Sequence, residues 1–96
     1  MLLQSFFSSR TRVSLLTLFM RDPEKRYYLR EISKLLDESL TPIRRELLNL
    51  KKIGFLTDYR VANLIYYKVN KDFLLFDELK SMVEKVNQKR EEVAIG

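Results

Sequence analysis

The stretch that decides the fold is LREISKLLDESLTPIRRELLNLKKIG, residues 29–54. It contains two helical patterns separated by the polar turn Asp37-Glu38-Ser39. The first pattern places four aliphatic residues on one face: Leu29, Ile32, Leu35 and Leu36. The second places an aliphatic stripe on its inward face: Ile43, Leu47, Leu50 and Ile53. The sequence therefore predicts a helix-turn-helix at about 29–53.

The start of the second helix has two possible registers. Ser39 is the better N-cap, and it puts Pro42 at the third helical position, where a missing amide breaks no intrahelical hydrogen bond. In the competing register Thr41 is the cap and Pro42 is the first helical residue. Gly54 can adopt a left-handed conformation, so we expect the helix to end after Ile53.

Downstream of Gly54 the hydrophobic period changes from 3.6 residues to 2. Phe55 to Arg60 and Leu64 to Val69 are rich in Tyr, Ile and Val, and they predict a β-hairpin around Val61-Ala62-Asn63. Because successive strand residues alternate between faces, either Leu64 or Ile65 is expected to fold back on the core.

The segment upstream of the helix-turn-helix predicts two further helices and a short strand, and the first helix is a short one with Leu2, Leu3, Phe6 and Phe7 on one face. Ser8 or Ser9 can cap a helix that ends at Asp22-Pro23, since the residue before proline is disfavoured in the α conformation. The aromatic run Arg26-Tyr27-Tyr28 follows and predicts a small strand.

The order helix, helix, turn, helix, hairpin is the winged-helix arrangement. The predicted fold class is mostly α with a small β-hairpin (α+β): a winged helix-turn-helix with flanking N- and C-terminal dimerisation helices. There is no internal repeat and no Gly/Ser-rich linker, so residues 1–96 are expected to form one domain. Its parts are the helix-turn-helix at about 29–53, the wing at about 55–69 and a C-terminal helix at about 73–92.

The terminal segments carry more apolar surface than a three-helix core needs. One interpretation is an intrachain helix pair that covers the core. A dimer is favoured because the apolar stripe of the C-terminal helix continues beyond the compact domain. The predicted dimer-interface residues are Leu2, Leu3, Phe6, Phe7, Leu79, Met82, Val83 and Val86.

Composition and charge narrow the class of function. The net charge is +5, with 13 Lys/Arg against 7 Asp/Glu in residues 1–70 and 5 against 6 in residues 71–96. A basic body favours a polyanionic partner, although a solvated basic surface is the plainer interpretation.

Cys and His are absent and Gly occurs only twice, which excludes thiolate or imidazole metal ligands and a Gly-rich phosphate loop. We expect no enzyme activity, no metal and no cofactor. With no signal peptide or membrane span in the sequence, we expect a cytoplasmic location and no membrane partner.

The second helix of a helix-turn-helix can enter the major groove of DNA with its N-terminal residues against base edges. If the aliphatic stripe faces the core, the residues that project at this end are Ser39, Leu40, Thr41, Arg44 and Arg45. Candidate contacts to the phosphate backbone are Arg10, Arg12, Arg30 and Lys34, and Arg60 lies near the wing tip. For Arg44-Arg45-Glu46 taken alone, an exposed helical face with surface salt bridges is the simpler interpretation.

The sequence resembles ArsR-type and related winged-helix transcriptional regulators of archaea and bacteria over nearly the whole chain. The segments that carry the resemblance are Ser9 to Leu16, Tyr28 to Leu36, Ile43 to Leu47, Ile53 to Leu56 and Ile65 to Asn70. The resemblance implies a recognition helix at about 39–53, a wing at 55–69 and dimerisation through the terminal helices.

Three departures from the family pattern matter. Metal-sensing members bind through Cys, His and acidic clusters, so this chain is not expected to sense a metal. Asp37-Glu38 stands in the turn where Gly is usual. The wing tip, Val61 to Ile65, is apolar and has only Arg60 as a nearby cation, whereas the family's tip is commonly basic.

The sequence therefore predicts a sequence-specific transcriptional regulator that binds double-stranded DNA as a homodimer. The alternative is a winged-helix protein-interaction module that docks a partner protein through four apolar residues: Leu48, Val61, Leu64 and Ile65.

Overall fold

The computed structural model describes the backbone of residues 10–95 and the side chains of residues 10–85. The elements, in chain order, are α1 (Arg10–Arg21), β1 (Tyr27–Tyr28), α2 (Leu29–Leu36), α3 (Leu40–Lys52), β2 (Leu56–Val61), β3 (Leu64–Val69) and α4 (Phe76–Ile95). The predicted order of helices and strands is confirmed for this part of the chain. None of the helices within it is long and apolar enough to cross a lipid bilayer.

The core lies between α1, α2, α3, the sheet and the first turns of α4. Its largest side chains without solvent exposure include Phe19 and Phe55. The Phe19 ring meets Tyr27 edge-on at 5.3 Å between centroids, and Phe55 meets Phe73 in the same way at 5.8 Å. Such edge-to-face pairs add to area burial in holding neighbouring elements together.

Helices α2 and α3 end in the same way but with different residues. After α3, Gly54 has φ +91°, and the amides of Gly54 and Phe55 donate to the carbonyls of Lys51 and Leu50. After α2, Asp37 has φ 52° and ψ 48°, and the amides of Asp37 and Glu38 donate to Lys34 and Ser33. Both are Schellman motifs, so Asp37 occupies the left-handed position that Gly takes in the family pattern.

Replacing Asp37 with Gly should raise the free energy of unfolding by about 0.5–1 kcal/mol, because Gly adopts the left-handed conformation without a Cβ penalty. Asp37→Asn is the matched control, since Asn tolerates this conformation but removes the charge. Urea denaturation measures both changes. A Gly variant no more stable than the wild-type protein would show that the position carries no backbone strain.

The three strands form an antiparallel sheet in the order β1-β3-β2. β2 and β3 pair along their whole length. The first residue pair is Leu56 and Val69, and the last is Val61 and Leu64, so the predicted hairpin is confirmed. The connecting turn has only two residues, Ala62 and Asn63, with Ala62 at φ 55°. β1 pairs with β3 through Tyr27 with Tyr67 and Tyr28 with Tyr66, which confirms the short aromatic strand.

Two expected core positions are exposed instead. Leu35 is 56% and Ile53 is 55% exposed. Leu35 lies in the last turn of the short helix α2 and lines a groove against α1. Ile53 follows the last helical residue of α3, and Phe55 takes the buried position that the helical period assigned to Ile53.

The expectation that Leu64 or Ile65 folds back on the core is wrong. These side chains are 39% and 41% exposed, and Val61 opposite Leu64 is 40% exposed. On β3 burial begins only at Tyr67 and continues at Val69, so the hairpin tip reaches past the helical layer. Leu48 on α3 is also exposed, as its position off the aliphatic stripe predicts.

The C-terminal helix begins at Phe76 and continues to Ile95. Leu79 and Val83 are 3% and 5% exposed and belong to the core of the single chain, where α4 packs against α1. Their burial agrees with the interpretation that this helix pairs with another helix of the same chain and covers the core. Met82 is half-buried. Four other predicted dimer residues lie outside the described residues: Leu2, Leu3, Phe6 and Phe7. The side chain of Val86 lies outside the described side chains.

Candidate nucleic-acid interface

The N-terminus of α3 presents the side chains that the sequence assigns to base contacts. Ser39 precedes the helix in an extended conformation with φ −69° and ψ 156°, which is the predicted N-cap register. Its side chain makes no capping hydrogen bond among the described residues. The first-turn amides of α3 therefore have no side-chain cap at Ser39, and such amides are suitable donors to phosphate oxygens.

Seven of the eight predicted DNA-binding residues are exposed, and Leu40 is half-buried. The exposed ones are Arg30, Lys34, Ser39, Thr41, Arg44, Arg45 and Arg60. Neither Arg44 nor Arg45 forms a salt bridge with any side chain described between residues 10 and 85. Both guanidinium groups can therefore bind a ligand without first breaking an ion pair.

Helices α2 and α3 together line a shallow cavity of about 300 Å³ beside the start of α3. Its lining residues are Tyr28, Arg30, Glu31, Ser33, Lys34 and Leu40. The fold thus brings the predicted phosphate contacts of α2 next to the predicted base-reading end of α3. Arg60 belongs to a different element, because it lies on β2 opposite Ile65 in the hairpin.

Glu46 ties α3 to the start of α1. Its carboxylate accepts a hydrogen bond from Arg12 Nε at 2.9 Å, and the side chains of Arg12 and Glu46 are 31% and 11% exposed. Close by, Thr11 Oγ1 donates to Glu38 Oε1 at 2.9 Å. The sequence interpretation missed this clamp: it treated Glu46 as a surface group and Arg12 as a phosphate contact. The burial of Glu46 corrects the first interpretation, whereas the phosphate contact of Arg12 stays a prediction, with Arg12 held by Glu46 across 34 positions of sequence.

The other end of α3 is tied to the wing. Lys51 Nζ lies 2.9 Å from Asp58 Oδ2, and this hydrogen bond and charge raise the pKa of Lys51. Burial raises the pKa of the nearby Tyr67, and the negative charge of Asp58 adds to this effect. Asp58 lies on β2, two positions before Arg60. In the structure its charge is paired with a lysine of α3.

No family model matches the sequence, and no curated protein is significantly similar to it. Among solved structures, the antimony-specific transcriptional repressor AntR matches with a TM-score of 0.75 at 18% identity, covering 99% of this chain and 79% of AntR. The adhesin competence repressor AdcR of Streptococcus pyogenes matches with a TM-score of 0.72 at 16% identity, over 97% of this chain and 69% of AdcR.

The chain has a winged-helix fold. A third match is MepR, a transcription regulator of the Staphylococcus aureus multidrug efflux pump MepA, with a TM-score of 0.69 at 15% identity over 94% of this chain and 68% of MepR. The resemblance to ArsR-type and related winged-helix regulators is thus confirmed at the level of the fold. The three named proteins are described as regulators or repressors.

Proposed function

We propose that this winged-helix chain is a transcriptional regulator that binds double-stranded DNA in a sequence-specific manner and inserts the N-terminus of α3 into the major groove. The observation that carries the proposal is that Arg44 and Arg45 are exposed at the start of α3 and form no salt bridge with the side chains of residues 10–85. An arginine in the groove can bind guanine O6 and N7 with two hydrogen bonds. The three solved structures of similar fold are named as regulators or repressors, which supports the same function.

The phosphate contacts in this proposal come from residues around the base-reading arginines. Arg30 and Lys34 lie on α2 beside the cavity at the start of α3. Ser39 and Thr41 carry hydroxyl groups at the N-terminus of α3. The first amides of α3 point out of the same end of the helix, along its axis. These contacts fix the position of the helix on the duplex, and base contacts then select the sequence.

We further propose that residues 1–96 act as one DNA-binding domain in the cytoplasm and function as a homodimer. The described part of α4 supplies Leu79 and Val83 to the core of its own chain, so a dimer needs the helix beyond them and the apolar N-terminal residues. A two-fold dimer would present two copies of α3 about 34 Å apart, one turn of DNA, and would favour a palindromic site.

Selection of bound fragments from the source genome tests this function. We expect enrichment of fragments that share a short motif, repeated as an inverted pair with centres about 10 base pairs apart. A motif without two-fold symmetry would contradict the proposed homodimer but not the proposed sequence-specific binding. Recovery of fragments with no shared motif would contradict sequence-specific binding.

The exposed wing tip favours a second candidate function, the docking of a partner protein. Val61, Leu64 and Ile65 are each about two-fifths exposed, and such a patch at a hairpin tip is available to another protein. If this is the function, Leu64→Glu should abolish capture of a specific partner from lysate while Leu64→Met retains it. A Leu64→Glu variant that changes only the affinity for DNA would contradict it.

A further inference from the structure

The outer face of the sheet carries a row of tyrosines, of which Tyr28 lines the cavity at the start of α3 and the other two, Tyr59 and Tyr66, do not. Cross-strand partners share a face, so the pairs Tyr28 with Tyr66 and Tyr59 with Tyr66 place one tyrosine from each strand in a single row. The inner face holds Leu56, Tyr67 and Val69, all buried in the core. Tyr59 and Tyr66 therefore lie on the face of the sheet opposite the core, and Tyr59 is 40% exposed.

Arg26 lies over this row, next to the rings of Tyr59 and Tyr66. Its guanidinium carbon is 4.2 Å from the centre of the Tyr66 ring, and its Nη1 donates to the Tyr59 hydroxyl at 3.2 Å. The rings of Tyr59 and Tyr66 are nearly parallel, with 27° between their planes and 6.1 Å between centroids. The result is an ordered platform of planar groups, Arg26, Tyr59 and Tyr66, fixed on a rigid sheet.

Positive charge surrounds the platform. Lys68 follows Tyr66 by two positions on the same face of β3, and Lys71 lies just beyond the strand. Glu24 is the acid next to them: it accepts a hydrogen bond from Lys71 and lies 3.7 Å from Lys68 Nζ, and the Lys71 bond lowers its pKa. The groups joined by these contacts are three cations, Arg26, Lys68 and Lys71, and one acid, Glu24.

We propose that this platform binds a short single-stranded segment of nucleic acid, with unpaired bases stacked on Tyr59 and Arg26 and phosphates near Lys68 and Lys71. Planar aromatic and guanidinium groups inside a cationic surface are the combination that holds single strands. Bases in a duplex are covered by their neighbours, so the platform selects unpaired strands. Arg26, Tyr59 and Tyr66 do not line the cavity at the start of α3, so the platform would be a second nucleic-acid site in addition to the proposed duplex site.

The test measures fluorescence anisotropy of labelled oligonucleotides of about eight nucleotides. Its arms are single-stranded DNA, single-stranded RNA, a duplex, and an abasic DNA strand that has the same phosphates but no bases. We expect the wild-type chain to bind the single strands and to bind the abasic strand at least fivefold more weakly. The DNA and RNA arms identify which kind of strand the platform prefers.

Two pairs of variants locate the site. Tyr59→Ala should weaken single-strand binding by about fivefold or more, whereas Tyr59→Phe, which keeps the ring, should stay within about twofold of wild type. Arg44→Ala and Arg45→Ala should leave single-strand binding unchanged, and Tyr59→Ala should leave duplex binding unchanged. Thermal melting of each variant confirms that it is folded, which is expected because Tyr59 lies outside the core.

Three results would overturn the proposal: no binding of any single strand, equal binding of the abasic strand, or loss of single-strand binding in the Arg44 and Arg45 variants. The second would mean that the surface attracts any polyanion. The third would mean that the strand lies on α3. None of them affects the proposed binding of duplex DNA, which the duplex arm measures by itself.

Discussion

Arg12→Ala should lower the free energy of unfolding by about 2–3 kcal/mol, because it leaves the carboxylate of Glu46 without its cation in a largely buried position. A fully buried pair broken in this way costs about 3–5 kcal/mol, and the 31% exposure of the Arg12 side chain reduces the penalty. Denaturation in urea at neutral pH measures the change.

Two controls separate this clamp from a general loss of charge. Arg10→Ala removes an exposed arginine from the same end of α1 and should change stability by less than about 0.5 kcal/mol. The double variant Arg12→Met with Glu46→Leu removes both charges and should recover much of the loss. If Arg12→Ala and Arg10→Ala are equally mild, the Arg12–Glu46 pair does not hold α1 against α3.

Arg45→Ala, or Arg44→Ala, should reduce affinity for the selected duplex by about 10- to 100-fold and relax the preference at one base pair. A bidentate contact with guanine discriminates by about 1–3 kcal/mol, which corresponds to this range. Replacement by Lys keeps the charge but loses the paired hydrogen bonds, so it should also relax the preference.

Lys52→Ala is the matched control for the two arginine variants. Lys52 is an exposed cation at the opposite end of α3, and its removal should have little effect on base preference. Titration against the selected duplex and against single-base variants of it measures each effect. Equal losses on every sequence in both arginine variants would mean that Arg44 and Arg45 contact only phosphate.

Much of the fold could be predicted because its signals are local. The helical period of residues 29–53, Gly54 as a left-handed stop and the alternation of Leu64 to Val69 each specify an element without any distant contact. The predicted Ser39 register of α3 was confirmed for the same reason. Local periodicity failed at the ends of elements. Ile53 follows the helical stripe in sequence, but the helix has already ended there and the side chain turns to solvent.

The features that sequence could not supply depend on contacts between distant residues. Arg12 and Glu46 pair across 34 positions, and nothing in either local pattern distinguishes this clamp from two surface charges. The alternation of the hairpin correctly separates its two faces, but it does not say how far the tip extends beyond the helices. For that reason the exposure of both Leu64 and Ile65 was not predicted. The stacking of Arg26 on Tyr66 depends on the pairing of β1 with β3, which only the folded chain defines.

Asp37 and the low positive charge of the wing both affect the affinity of a single subunit for DNA. Asp37 introduces a negative charge in the turn before α3, and Arg60 is the only cation within the hairpin near its apolar tip. A single copy therefore offers few phosphate contacts, mainly Arg30, Lys34 and the start of α3. The proposed dimer doubles them, which explains why tight binding in this proposal requires two subunits.

The most direct test of duplex binding is a titration of the selected duplex at several salt concentrations. Each phosphate that the protein neutralises contributes about −0.9 to the slope of log K against log salt concentration. For a dimer with about six phosphate contacts, we predict a loss of roughly 10³-fold in affinity between about 50 and 200 mM salt. Affinity that does not change with salt, or no binding to the duplex at low salt, would contradict the proposal that this winged helix is a DNA-binding regulator.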